Sequence, residues 1–178
     1  MNEFERKIDF YIRNFDTEKL LYQKGHSWAR KGWLSKNEFL SICLWKSRRP
    51  KKLLNQNTRT KIKSITKKAF IEPDETKKMK LLTRLSGVSV PTASAILSVV
   101  NPKKYPVIDV RCVESLRELD LIDWKSINIV SWIKYLDVIR SISKSKKKTA
   151  REVEKGLFAF NRLKLDSELK NLYGLREK

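Results

Sequence analysis

Cysteine and histidine are scarce in this chain of 178 residues: Cys43, Cys112 and His26 are all there is. Two thiols and one imidazole cannot build a four-cysteine zinc or iron–sulfur site from this chain alone, so no metal or other cofactor is expected. Both cysteines fall inside apolar helical patterns and read as small buried hydrophobes. Glycine and proline number five each, which argues against a loop-rich or many-turned β protein. No apolar run reaches the length of a membrane span. The opening MNEFERKIDF alternates acid and base and lacks the apolar stretch of a signal peptide. The expectation is a soluble, cytoplasmic protein of a reducing compartment, nucleoid-associated if bacterial.

Acid is the other shortage. Forty Lys and Arg face twenty Asp and Glu, a formal net charge of +20. Such an excess repels itself in the folded state, and a polyanionic partner relieves the repulsion. Nucleic acid suits that role because neutralised phosphates also release condensed counterions. A lysine-rich proteome or a solubility bias is the plainer alternative. No long basic amphipathic helix with an unbroken apolar face stands out, which disfavours a membrane surface. At 40% hydrophobic residues the chain can still pack an interior. Its length fits one unit over 1–178 and a monomer. A division into two helical lobes is the variant, about 1–72 with the C-terminal helices and about 73–125.

The apolar residues recur at helical spacing throughout. Phe4, Ile8, Tyr11, Ile12 and Phe15 form one stripe; Leu20, Leu21, Trp28 and Ala29 form another. Ser35 and Glu38 have capping-box spacing before Phe39, Ile42 and Cys43. Lys46 to Lys52 interrupts with five positive charges and a proline. A helix is predicted over 58–70, then one opened by Glu72-Pro73-Asp74-Glu75 and stopped at Gly87. Further helices are predicted from Pro91 to about Asn101, from Asp109 to Leu119, and over 127–142. Thr149 and Glu152 offer a second capping box for a helix reaching Leu163, with a short terminal helix from Asp166. No strand alternation survives for more than a few residues. The predicted fold class is all-α.

The most informative stretch is Leu85-Ser-Gly-Val-Ser-Val-Pro-Thr-Ala93. Gly87 can take the positive φ that ends a helix, and Val88 can plug the gap between the pair. Pro91 suits a first helical turn, where its missing N–H would be an orphan anyway. Ala93, Ser94 and Ala95 let two helices approach closely. Backbone N–H groups at the turn would then face outward as an anion site for a phosphate, unless this is an ordinary helical hairpin with a glycine stop. The segment resembles the helix-hairpin-helix of the endonuclease III-like DNA glycosylase superfamily, patterned Leu-Pro-Gly-Val-Gly-x-Lys-Thr-Ala. The superfamily's catalytic aspartate follows about twenty residues on, often as Pro-x-x-Asp. Here Pro106-Val-Ile-Asp109 stands at matching spacing, and the resemblance spans roughly residues 75 to 120. Two departures are visible. Ser89 replaces the second glycine, and Pro91 occupies the position of the Schiff-base lysine. The resemblance therefore implies a monofunctional glycosylase without an iron–sulfur cluster, or a member that has lost catalysis.

On that reading Asp109 stabilises the oxocarbenium character of the sugar and activates water. The alternative role for Asp109 is an N-cap on the helix that follows. The DNA-binding set comprises Gly87, Val88, Ser89, Thr92 and Ala93 of the hairpin with Lys103, Lys104 and Arg111; Arg111 can equally pair with Glu114. Trp28, Trp33 and Trp45 are candidate walls for a flipped base, or core residues. His26 reads as a surface or capping residue. Lys46 to Lys52, Lys103-Lys104, and Lys144 to Lys148 with Arg151 are either phosphate contacts or solvated surface. Double-stranded DNA is the expected partner. A non-enzymatic DNA-binding module is the competing class, and a scaffold for RNA or protein the third.

Overall fold

The computed structural model describes residues 2–13 and 19–172, with side chains for 2–13 and 20–165. Phe15, placed above on the first stripe, lies outside the described residues. Among those described there are eleven helices and no strand, so the chain is all-α. Two short helices, α1 (Glu3–Arg6) and α2 (Ile8–Arg13), bury Phe4, Ile8 and Tyr11. Then come α3 (Lys19–Lys31), α4 (Lys36–Lys46), α5 (Lys51–Asn55) and α6 (Arg59–Ile71). The rest are α7 (Glu75–Leu82), α8 (Val90–Val100), α9 (Val110–Glu118), α10 (Ile129–Lys146) and α11 (Ala150–Leu172).

Local signals set most of the helix starts. Ser35 and Glu38 close a reciprocal capping box on α4, Thr58 caps α6, and Asp74 caps α7. The Thr149 hydroxyl accepts from the Glu152 N–H at 3.2 Å, while the Glu152 carboxylate accepts from the Thr149 N–H at 2.7 Å. Each side-chain cap satisfies a backbone group that has no partner within its helix. Three expectations need correction. The basic run after Lys46 contains a helix, α5. No break precedes Asp166, because α11 continues unbroken to Leu172. Leu20 and Ala29, placed above on an apolar stripe, are exposed rather than in the core.

The core is built around α8. Every residue from Thr92 to Val100 is buried, the mark of a helix wrapped on all sides, and α3, α4 and α7 all pack against it. The crossing with α3 is close enough that a Cβ on Gly25 would lie 2.0 Å from the Val99 carbonyl oxygen. Only glycine permits that approach. Tyr22 and Ser98 share a hydroxyl hydrogen bond of 3.1 Å at the same crossing. On the other side α11 packs against both α2 and α9. The buried hydrophobic residues form one continuous cluster.

Candidate active site and nucleic-acid interface

The turn between α7 and α8 is held from outside. Gly87 has φ +78°, and a Cβ there would meet Leu53 Cβ at 3.0 Å and the Leu54 nitrogen at 3.1 Å. Positive φ and a close neighbour both call for glycine at this position. The buried amide of Asn57 stitches the turn to the end of α5. It donates to the Ser86 carbonyl at 2.9 Å and the Leu54 carbonyl at 3.0 Å, and accepts from the Ser86 N–H at 2.9 Å. Ser89, in place of a glycine, sits at φ −87° as the N-cap residue of α8, a conformation any residue adopts. Its hydroxyl pairs with that of Thr92 at 3.2 Å.

The residues of the turn expected to meet DNA differ in exposure. Val88, Thr92 and Ala93 are buried. The N–H groups of Val88 and Ala93 are already bonded to the carbonyls of Leu85 and Ser89. Ala93 serves packing, Val88 and Thr92 reach the surface only by an edge, and Gly87 and Ser89 are the more open of the set. Gly87 and Ser89 line a groove of about 530 Å³ together with Arg84, Ser86, Ser47 and Pro50.

A short connector carries the chain from α8 to Asp109, and it is pinned along its length. Ser94 accepts from the Ile108 N–H at 3.0 Å and donates to the Pro91 carbonyl at 2.8 Å. Tyr135 donates its hydroxyl proton to the Val107 carbonyl at 3.0 Å. The first N–H groups of α11 donate to the connector as well, Ala150 to the Lys103 carbonyl and Arg151 to that of Pro102. At the connector's start, Glu75 gathers Arg140 at 2.8 Å and Lys78 and Lys104 at 3.4 Å each. Tyr105 donates to Glu75 at 3.3 Å and accepts from Lys78 at 2.6 Å.

Burial pushes the Glu75 carboxyl up, but the Arg140 hydrogen bond and the three positive charges outweigh it and leave it below its usual range. Burial lowers Lys78, with one carboxylate in favour of its charge and two cations against. The two directions agree, because Glu75 has three opposite charges and Lys78 only one. Lys104 joins that ion-pair cluster from its exposed edge, and Lys103 stands exposed beside it.

Asp109 caps α9, its Oδ1 accepting from the Cys112 N–H at 3.0 Å. Its Oδ2 receives Lys46 Nζ at 3.2 Å, and both side chains are largely buried. A cleft of about 140 Å³ opens here, walled by Trp45, Lys46, Val107, Glu154 and Phe158 around the carboxylate, with Arg151 beside it. Arg151 and Glu154 form a buried ion pair, and the Arg151 guanidinium lies 4.9 Å from the Tyr22 ring centroid. Two carboxylates and two cations thus meet in one cleft. Burial raises the Cys112 thiol far above its ordinary range, and the charge of Asp109 adds to the effect. That thiol is a packing group, not a nucleophile.

The other sequence candidates scatter. Trp45 alone of the three tryptophans lines the Asp109 cleft. Trp28 is buried in the core, and Trp33 lines a different groove. Arg111 lies 5.4 Å from the ring centroid of Phe158, a wall of the cleft, and Glu114 accepts from Asn161 instead. His26 is exposed. In the late basic run Lys146 pairs with Glu5 at 3.6 Å and Lys148 with Asp9 at 2.6 Å. Those charges tie the end of α10 and the turn after it to the N-terminal helices.

Lys46, Glu154 and Phe158 were not singled out from sequence. Lys46 was read only as the start of a basic run. Nothing local marks Lys46, 63 residues from Asp109 along the chain, or Glu154 and Phe158, which a different helix supplies. In comparisons with known proteins, no family model, no curated protein and no solved structure matches the chain.

Proposed function

We propose that the chain binds duplex DNA through the α7–α8 turn and removes a damaged or modified base by hydrolysis, as a monofunctional N-glycosylase. The observation that carries this reading is the Asp109 carboxylate, held at the head of α9 in a cleft between the aromatic walls of Trp45 and Phe158. Breaking an N-glycosidic bond builds positive charge on the sugar, and a fixed carboxylate in a poorly solvated cleft stabilises it. The same oxygen can take a proton from the attacking water as the base departs. Aromatic walls suit a base extruded from the stack. Arg84 beside the turn and Arg111 next to Phe158 supply charge for the phosphates.

One feature favours the second reading, a DNA-binding module without catalysis. Lys46 occupies Asp109 Oδ2, and at about 140 Å³ the cleft is smaller than the roughly 300–1,000 Å³ of ordinary ligand sites. Catalysis therefore requires Lys46 to leave the carboxylate, and a DNA phosphate is the natural group to draw it away.

The test is incubation with duplexes carrying alkylated, oxidised, deaminated or mismatched bases, followed by hot alkali. Strand breaks that need alkali and vanish in Asp109→Asn are the expected result. Tight, salt-sensitive binding with no breaks on any duplex would establish the module. Breaks without alkali that disappear in Lys46→Gln would instead make Lys46 an amine nucleophile, in a role that Pro91 cannot fill.

A further inference from the structure

Trp33 belongs to a second and larger groove, of about 540 Å³, away from the Asp109 cleft. Lys36, Arg59 and Lys63 line it with the polar groups of Ser35, Asn37 and Thr60, and no carboxylate does. The nearest acid in sequence, Glu38, is already engaged. Its Oε2 accepts from the Ser35 N–H at 2.7 Å and from Lys31 Nζ at 2.5 Å. Arg59 and Lys63 make no ion pair among the described residues. Two ammonium groups crowd the indole, Lys31 at 4.2 Å and Lys63 at 4.5 Å from the ring centroid. Lys31 has Glu38 as counter-charge; Lys63 has only the ring.

Like charges gathered without a carboxylate raise the local potential and attract an anion. An indole in the same groove offers a face that every nucleobase can stack on. The volume falls within the range of small-ligand sites. An acidic peptide would satisfy the cations and leave the indole without a partner, and a paired duplex keeps its bases stacked on one another. We propose that this groove binds a nucleotide, its unpaired base stacked on Trp33 and its phosphate held by Arg59 and Lys63. Lys63 leaves the ring face for the phosphate as the base arrives. The nucleotide is part of a single strand or a free mononucleotide. The proposal stands whether or not Asp109 is catalytic.

Fluorescence anisotropy with a short fluorescein-labelled oligothymidylate tests it, with a duplex of equal length alongside. Trp33→Ala is expected to weaken single-strand binding by roughly tenfold or more, and to change duplex binding by less than about twofold on the same reasoning. Trp33→Phe keeps a stacking face and should restore most of the affinity. The doubly exchanged Arg59→Gln/Lys63→Gln, altered only at exposed positions, should weaken single-strand binding and flatten its salt dependence. Competition by thymidine 5′-monophosphate identifies a free nucleotide as the source; competition only by the oligomer identifies a strand. Single-strand binding indifferent to Trp33 would overturn the proposal. So would an equal fall for single strand and duplex, or oligoglutamate competing as well as oligothymidylate.

Discussion

Single side chains decide how tightly the core closes and what reaches solvent. Gly25 is the sharpest case, because α3 lies on the α8 backbone with no room for a methyl group. Gly25→Ala must push the helices apart, and urea unfolding should show a loss of about 1–3 kcal/mol or beyond. The thiols behave in the opposite sense, filling space without reacting. Burial pushes both Cys43 and Cys112 up, so neither should label with iodoacetamide at mildly alkaline pH until the protein unfolds. Labelling of the native protein would show that the helices around them open. The burial of the cysteines was legible, since both sit in apolar helical stripes. The glycine contact was not, because a lone glycine inside a helix pattern does not say which backbone it touches. Nor does Asp109 announce Lys46, 63 residues away in the chain.

At the scale of elements, the caps were legible and the ties between elements were not. Ser35 with Glu38 and Thr149 with Glu152 act within four residues, so their spacing alone sets the helix starts. Helix α5 was hidden because a charged run beside Pro50 carries no apolar period. The turn before α8 was found from Gly87, but its outside support, Asn57, carries no local signal. Asn57→Ala strips the half-buried Ser86 N–H of its acceptor and the Ser86 and Leu54 carbonyls of a donor, which together cost about 1–3 kcal/mol. Thermal unfolding should register that loss. If the turn carries DNA, duplex affinity should fall with it, while single-strand binding at Trp33 should not.

For the whole molecule, the ion-pair cluster on Glu75 joins α7, α10 and the connector to Asp109, and it sets an acid limit. The carboxyl is lowered from an ordinary value of 4.5. A group depressed in the folded state stabilises fully above its unfolded value and ceases to do so as pH falls through the folded one. Stability should therefore decline below about pH 4.5. Glu75→Gln should lower stability at neutral pH and flatten that acid limb, read by denaturant unfolding across pH. The excess of positive charge makes a second demand. Duplex affinity should fall steeply with added salt, and a flat response would remove nucleic acid as the partner. The all-helical class and the basic surface were both plain from composition and periodicity. The Asp109 cleft was half plain, because its floor is local and its walls come from α4 and α11.

The seating of α11 against α2 and α9 has a consequence in time. A chain made from its N-terminus produces α1 and α2 well before α11, the helix whose face covers α2. Phe4 and Tyr11 meet Phe160, a pairing that no growing chain can form until α11 has been synthesised. Contacts of such long sequence separation are slow to close. Until then the apolar face of the first helices has no native cover and is open to chaperones or to other unfinished chains.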